Sequence, residues 1–152
     1  MAGMKRQIFD HPRYGPCLRL EQGSAEALVG LWGGQVLSWR CGEDEQLYLS
    51  PMSRHGPGAS VRGGIPVIFP QFADHGTGPR HGFARTSAWT LADDGDMPAA
   101  GADSTRLRLQ DHADTLAAWP HRFVLEQTIT LRDSGLEIDL ALRNTDDHAL
   151  SF

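Results

Sequence analysis

The chain has 152 residues, of which 40% are hydrophobic and 22% charged, a composition typical of one packed domain or of part of one. Its 14 Lys and Arg against 19 Asp and Glu give a net charge of −5, which disfavours general nucleic-acid binding because that function usually needs a clustered basic excess. We find no apolar run long enough to span a membrane, no secretory h-region and only two cysteines, so we expect reduced thiols and a cytoplasmic location.

Short strands separated by turns are predicted along most of the chain. The 17 glycines and 9 prolines leave few stretches that are long enough for a helix of average length, about 11 residues. The strand candidates, in chain order, are Cys17–Glu21, Ala25–Val29, Gln35–Arg40, Gln46–Leu49, Ile65–Phe69, Ala88–Leu91 and Thr105–Gln110. Pro66 and Pro70 indicate that the fifth of these is irregular or lies at an edge. Many short strands of this kind favour an all-β fold, an antiparallel β-sandwich.

Two segments between the later strands have a different character. Residues Asp93–Asp103 are rich in Asp, Gly, Ala and Pro, which predicts an exposed loop. Residues Asp111–Ala118 predict one or two helical turns that begin at Asp111 as the cap and end before Pro120. We interpret this helix as a connector.

The clearest periodicity lies near the end of the chain. Residues Leu136, Ile138, Leu140 and Leu142 alternate with mostly polar residues, and Phe123, Leu125, Ile129 and Leu131 repeat the pattern upstream. The intervening Arg132–Gly135 is a turn signal, so these segments predict an antiparallel hairpin. A second turn at Asn144–Asp147 precedes Ala149–Phe152, which resembles the opening of another strand.

A positively charged region interrupts this acidic chain. Between Met52 and Ala92 the cations are Arg54, Arg62, Arg80 and Arg85, while Asp74 is the single acid. A cationic cluster that contains arginine but no lysine favours the binding of a small anionic group, such as a phosphate or carboxylate, because a pair of guanidinium groups can grip it. Gly63-Gly64 beside Arg62 lets backbone amides approach an anion, although no P-loop sequence follows. A solvated surface with chance clustering explains the composition equally well.

A histidine lies in the same region. If residues 80–85 are extended, His81, Phe83 and Arg85 point to one face. Histidine exchanges protons near neutrality, and Arg85 would hold an anionic substrate beside it. The alternative is a polar strand with a hydrogen-bonded histidine.

Metal and nucleophilic chemistry have weaker support in the sequence. None of the seven histidines has the close spacing of a known zinc motif. His75 and His81 could meet across the loop between them, but no third ligand is evident, so we expect no metal site. The sequence also lacks a Gly-x-Ser-x-Gly elbow.

Two motifs resemble those of a known enzyme family. They are Arg62-Gly-Gly-Ile-Pro-Val-Ile-Phe-Pro-Gln-Phe72 and His81-Gly-Phe-Ala-Arg85, the latter followed by Trp89. Both are similar to motifs of the hexose-6-phosphate mutarotases, or glucose-6-phosphate 1-epimerases, in the aldose 1-epimerase superfamily. Further matches occur in the same order at Gly34–Trp39, Gln46–Ser50, Trp119-Pro120 and Asn144-Thr145. The resemblance implies a large two-sheet, galactose mutarotase-like β-sandwich that interconverts the anomers of phosphorylated hexoses without a cofactor.

The resemblance also implies roles for individual residues. Arg62 and Arg85 correspond to arginines that contact the substrate or its phosphate, and His81 corresponds to a sugar-facing histidine. Arg80 occupies a position that is often Gln or Lys in the family, so we expect it to contact the substrate with changed geometry. We therefore expect a hexose phosphate as the ligand, and we expect no binding to nucleic acid or to a membrane.

The family's catalytic pair has no counterpart in this chain. In the family, the Asn-Thr segment is followed by a Leu-His-Thr-Tyr motif with the general-acid histidine, and the general-base glutamate comes later; both lie beyond Phe152. We therefore expect residues 1–152 to form a single, incomplete N-terminal portion of the sandwich without catalytic residues, and we do not expect His81 and Asp74 to replace the missing pair. Exposed strand edges would favour self-association. The alternatives are a noncatalytic sugar-phosphate-binding or carbohydrate-binding β-sandwich and an inactive truncated remnant.

Overall fold

Two antiparallel sheets form the fold. The computed structural model describes residues 3–56, 59–92 and 101–152. The first sheet contains, in spatial and chain order, β1 (Lys5–His11), β2 (Gly15–Gln22), β3 (Ala25–Gly30), β4 (Gln35–Cys41) and β5 (Asp44–Glu45). The second contains β6 (Thr90–Leu91), β7 (Ser104–Gln110), β8 (Phe123–Arg132) and β9 (Gly135–Asn144). The predicted all-β architecture with antiparallel sheets is confirmed.

The strand predictions succeed where one face of the strand is buried. The four candidates confirmed as strands lie within β2, β3, β4 and β7. Strand β1 was not predicted, because it lies at the edge of its sheet and is mostly exposed, with Ile8 55% exposed. It therefore has no run of alternating apolar residues.

Three other candidates are strands only in part. Residues 46–49 and 65–69 form isolated bridges, namely Leu49 with Gly63, Val36 with Ile65 and Phe69 with Gly82. This agrees with the irregularity expected of a segment with two prolines, since proline has no N–H for a ladder. The candidate at 88–91 is reduced to the two residues of β6 and one bridge between Ala88 and Trp32.

The predicted hairpin and helix are both present. Strands β8 and β9 pair from Phe123 with Asn144 to Arg132 with Gly135. Leu140 is nevertheless 53% exposed, because β9 is the last strand of its sheet among the described residues. Helix α1 (Ala113–Ala118) is capped by His112, whereas the Asp111 carboxylate accepts the Phe123 N–H at 3.0 Å. The prediction of Asp111 as the cap was therefore wrong.

The remaining two predictions concern irregular segments. Residues 93–100 of the predicted loop Asp93–Asp103 lie outside the described residues. Residues 149–152 form no strand, contrary to expectation, because no neighbouring strand among the described residues pairs with them. None of the helices found among the described residues is long and apolar enough to cross a membrane.

The main core lies between the two sheets. Leu18, Leu20 and Val29 of the first sheet belong to one buried cluster with residues of the second sheet, which include Leu107, Phe123, Leu125 and Ile129. A bulge between β3 and β4, where Leu28 pairs with Ser38 but Val29 pairs with Val36, leaves Leu37 as an extra residue. Leu37 packs in a second, smaller cluster with Tyr14, Cys17 and Val61. Leu49 and Val61, on the segment that leads to Arg62, therefore have hydrophobic support separate from the main core.

The two cysteines have different surroundings, which predicts different reactivity. Cys17 is fully buried, and burial together with the nearby Asp10 carboxylate raises its pKa to about 11, whereas Cys41 is partly exposed. Because the thiolate is the reactive form, we expect Cys17 to stay unmodified in the folded protein at neutral pH. An aromatic disulfide reagent should detect one thiol in the native chain and two in guanidinium chloride. Rapid modification of both thiols in the native chain would contradict this assignment.

A buried ion-pair cluster joins β7 to β8. The Glu126 side chain is 7% exposed, and its Oε2 lies 3.2 Å from Nε of Arg106, which is 4% exposed. Its Oε1 lies 3.4 Å from Nη2 of Arg108. One carboxylate thus serves two guanidinium groups in a place that water barely reaches.

Candidate functional site

Arg62 lies on a loop whose backbone is held on both sides. The Ser53 Oγ accepts the Arg62 N–H at 2.9 Å and donates to the Arg62 carbonyl at 3.0 Å. Gly63 follows with φ +102°, and a Cβ there would lie 2.3 Å from the Tyr48 carbonyl oxygen, so only glycine fits. The Arg62 side chain is exposed and has neither a hydrogen bond nor an ion pair within the described parts of the chain.

The turn between β3 and β4 supports this loop and the segment after Arg85. Gln35 is 1% exposed, and its Nε2 donates to the carbonyls of Gly63 at 2.6 Å and Val61 at 3.3 Å. Two residues earlier, the Gly33 N–H donates to the Ser87 carbonyl at 2.7 Å. This turn and the first residue of β4 therefore anchor both arginine-bearing segments. Gln127 of β8 fixes this turn to the second sheet by donating to the Gly34 carbonyl at 2.6 Å.

We call residues 71–85 the histidine loop. Gln71 organises its first part, because its Nε2 donates to the Ala73 carbonyl and its Oε1 accepts the Gly78 N–H, both at 2.9 Å. Ala73 and His81 then bond to each other twice: the His81 N–H donates to the Ala73 carbonyl at 2.9 Å, and the Ala73 N–H donates to His81 Nδ1 at 3.0 Å. Both residues have positive φ, +48° and +63°, a strained conformation that is common at functional sites.

Residues 80–85 are not extended, so the condition for a shared face of residues 81, 83 and 85 is not met. Gly82 has φ +72°, and a 3-10 helix spans Ala84–Thr86. Gly82 lies so close to the Phe69 carbonyl that a Cβ would be 2.0 Å from its oxygen, which forces the chain to turn. As a result Phe83 is buried in the core, whereas His81 and Arg85 are only half-buried.

Three of the four predicted site residues, Arg80, His81 and Arg85, lie in the histidine loop. Arg80 forms an exposed ion pair with Asp74, and Arg85 Nη2 donates to the Arg80 carbonyl at 3.4 Å. His81 lies between them in the sequence. In the described chain, no hydrogen bond or ion pair links Arg62 directly to these three. The two segments are connected indirectly, because residues 33–35 bond to Gly63 after Arg62 and to Ser87 after Arg85.

Arg85 differs from the other sheltered arginines. Four arginines are buried or half-buried, and three of these, Arg19, Arg106 and Arg108, form ion pairs with carboxylates. Among the residues that the structure describes, Arg85 alone of the four has no carboxylate partner. Within that same set, its Nε is buried without a hydrogen bond, as the Nε atoms of the other three are. Burying part of a guanidinium group without a counterion is unfavourable, so this position favours an anion from outside the described chain.

An apolar surface adjoins these polar groups. The Phe72 ring is 66% exposed and lies edge-on to the His81 ring at 5.2 Å between centroids. Nearby is a cleft of about 380 Å³, lined by Gln71, His75, Trp119 and Phe152 among others. A larger depression of about 550 Å³ lies in the first sheet, beside Glu21 and Arg40, and includes none of the predicted site residues. Phe72 lies within the first motif, but its residue type alone gave no indication of a role.

The histidines combine in an unexpected way. In the described residues, His75 and His81 do not form a three-ligand metal group, whereas His121, Asp146 and His148 do come together. His121 is far in the sequence from Asp146 and His148, so no local spacing signals the contact of the three. Only the pairing of β8 with β9 brings them to the same end of the hairpin.

Comparison with known proteins places these observations in a family. The family model for aldose 1-epimerase matches residues 16–152. A protein of Cenchrus ciliaris is 35% identical over 133 residues, which are 83% of this chain and 40% of that protein. A protein of Escherichia coli K12 is 36% identical over 124 residues, which are 78% and 37%. Both are provisionally named glucose-6-phosphate 1-epimerase. The chain thus spans about two fifths of the length of these relatives.

Solved structures agree with the fold. A crystal structure from Salmonella typhimurium, provisionally described as a mutarotase, superposes with a TM-score of 0.72 at 27% identity, over 94% of this chain and 48% of that one. A protein of Synechocystis sp. PCC 6803 superposes with a TM-score of 0.74 at 24% identity, over 97% and 52%. The second likeness concerns the fold alone.

Proposed function

We propose that this chain, which belongs to the aldose 1-epimerase family, carries the phosphosugar-binding surface of an enzyme that interconverts the α and β anomers of an aldohexose 6-phosphate. The observation that carries the proposal is Arg85, a sheltered guanidinium group without a carboxylate among the described residues. A phosphate is the natural partner because its oxygens accept two parallel N–H bonds from one guanidinium group.

Arg62 and Arg80 complete the proposed anion-binding surface. Arg62 is exposed on a rigid backbone and has no ion pair within the described residues, so it is free to reach a ligand. Arg80 is already paired with Asp74. We therefore assign the phosphate to Arg85 and Arg62, and we assign a weaker, partly screened contribution to Arg80.

The geometry of His81 supports a role toward the sugar. Its Nδ1 accepts the Ala73 N–H at 3.0 Å, so the neutral ring carries its proton on Nε2. The free side of the ring therefore presents an N–H donor. His81 would hold a sugar oxygen by donating a hydrogen bond, and its Nε2 would not accept a proton without loss of the bond to Ala73.

Ring opening needs two proton-transfer groups. A base removes the proton of the C1 hydroxyl while an acid protonates the ring oxygen, and rotation followed by closure gives the other anomer. Two of the proton-transfer groups in the histidine loop are already engaged: Asp74 is paired with Arg80, and His81 Nδ1 accepts the Ala73 N–H. These contacts favour a second candidate for residues 1–152 by themselves, namely binding of the sugar phosphate without anomer exchange.

The proposal is tested by magnetisation-exchange NMR on glucose 6-phosphate, with glucose as the matched ligand that lacks the phosphate. We expect the chain to broaden the glucose 6-phosphate resonances and to leave those of glucose sharp at the same concentration. We also expect the exchange between anomers to keep its uncatalysed rate, with or without His81→Ala.

Each outcome has a defined meaning. Absence of broadening, or equal broadening of both sugars, would contradict the phosphosugar site. Accelerated exchange would instead show that residues 1–152 contain a working acid and base, and its collapse in His81→Ala would identify His81 as one of them.

A further inference from the structure

The β8–β9 hairpin ends in a cluster of metal-binding side chains. His121 lies just before β8, and Asp146 and His148 lie just after β9. One potential ligand atom from each residue lies within 4.8 Å of the others. The cluster lies at the open end of the hairpin, opposite the turn at 133–134. We propose that His121, Asp146 and His148 bind one divalent transition-metal ion of the Zn²⁺ type.

The backbone around these side chains is already fixed. The strand pairing continues beyond Phe123 and Asn144, since the Thr145 N–H donates to the Arg122 carbonyl at 3.2 Å. The Asn144 side chain closes the following turn, because its Nδ2 donates to the His148 carbonyl at 2.8 Å and its Oδ1 accepts the Asp146 N–H at 2.9 Å. The backbone of the ligands is therefore held in place. The Asp146 carboxylate takes part in this turn as well, because its Oδ1 accepts the Asp147 N–H at 3.0 Å.

Each of the three side chains has a donor atom for an ion. His121 Nδ1 is buried and has no hydrogen-bond partner among the described residues. Asp146 uses Oδ2 to accept the Arg122 N–H at 3.0 Å, and its side chain is only 15% exposed. This bond orients the carboxylate, as contacts behind metal ligands commonly do. The His148 side chain is 54% exposed, and its Nδ1 lies 3.4 Å from Asp146 Oδ1 and 3.0 Å from Asp147 Oδ1. A bound ion would replace these contacts and draw the ring to a metal–ligand distance of about 2.0–2.2 Å.

The donor set selects the class of metal. Two imidazoles and one carboxylate suit Zn²⁺, Ni²⁺ or Cu²⁺ better than Mg²⁺ or Ca²⁺, which prefer oxygen donors. Three protein ligands leave a coordination position open for water or for another group. The bound ion would also tie residues 146–148 to the start of β8. The Trp119 ring contacts both the cluster and the core. Its centroid lies 4.5 Å from that of His121 and 5.4 Å from that of Phe69.

Calorimetric titration of the chain with ZnCl₂ tests the site, with the visible spectrum of added Co²⁺ as a second readout. We expect saturable binding of one ion per chain and the intense absorption of a low-symmetry Co²⁺ complex. His148→Ala should weaken binding by about tenfold or more, since loss of even a contact behind a ligand has an effect of that size. Asp146→Asn, which keeps an oxygen for the Arg122 N–H, should also weaken it.

His75→Ala is the matched control, because it removes an exposed histidine and leaves the cluster intact. It should bind the ion as the unmodified chain does. Lack of one-to-one saturation in the unmodified chain, unchanged binding in His148→Ala, or an equal loss in His75→Ala would each overturn the proposal. Circular dichroism checks that the variants are folded. We expect His148→Ala to fold normally because the His148 side chain is exposed.

Discussion

Replacing Arg85 by alanine is expected to weaken the binding of glucose 6-phosphate by about 10-fold to 100-fold, because a hydrogen bond to a charged group contributes about 1.5–3 kcal/mol. The effect on glucose should be much smaller, since glucose has no phosphate. Arg85→Lys should recover only part of the loss, because lysine keeps the charge but lacks the planar pair of donors. Phosphorus NMR or calorimetry measures these affinities.

Two further variants separate a local role from a general charge effect. Arg62→Ala should act in the same direction as Arg85→Ala, because Arg62 has no carboxylate partner among the described residues either. Arg13→Ala removes an exposed positive charge outside the histidine loop and should leave the affinity nearly unchanged. If Arg85→Ala lowered the affinities for both sugars equally, the phosphate assignment would be wrong.

The second large effect concerns stability. We expect Glu126→Ala to lower the free energy of unfolding by about 3–5 kcal/mol, because breaking a buried ion pair leaves a buried charge without its partner carboxylate. Here two guanidinium groups lose the same carboxylate, and that of Arg106 is 4% exposed. The total free energy of unfolding of a domain of this size is only about 5–15 kcal/mol, so the variant should be close to unfolding. Urea denaturation, followed by tryptophan fluorescence, measures the change.

An exposed ion pair provides the control for this prediction. Glu137 pairs with Arg132 at 3.1 Å, and both side chains are more than half exposed, so Glu137→Ala should change stability by less than about 1 kcal/mol. The double variant Arg106→Met, Glu126→Leu should recover much of the loss, since well-packed apolar residues often replace buried ion pairs without cost. A Glu126→Ala chain as stable as Glu137→Ala would show that water reaches the cluster.

The sequence predicts the fold where periodicity and burial coincide. The β8–β9 hairpin was readable because apolar residues alternate along both strands and a turn signal separates them. Strand β1 was missed because an exposed edge strand needs no such alternation. Gln127 illustrates a further limit: it interrupts the apolar pattern between Leu125 and Ile129, yet it is 1% exposed and bonds to the Gly34 carbonyl. A polar residue on a core face is explained only by its distant partner.

The candidate site was predictable in its residue types but not in its shape. The cluster of arginines around His81 suggested an anion, and the structure gathers Arg80, His81 and Arg85 in one loop. The positive φ values of Ala73 and His81, which exclude the expected extended face, come from bonds between residues eight positions apart. Such backbone conformations are uncommon for residues other than glycine, so residue type alone gives no signal of them.

The order of the strands also determines how the site can form. Every strand in each sheet pairs with its neighbour in the chain, so each sheet can assemble from short hairpins that have a small loop-closure entropy. Residues 46–89 carry Arg62 and the histidine loop and link the two sheets. Those of them that the structure describes contribute isolated bridges but no strand to either sheet. Their anchors, Gln35 and the turn that Gln127 holds, are complete only after the sheets have docked. We therefore expect the ligand-binding surface to be the last part of the chain to order during folding and the first to be lost on unfolding.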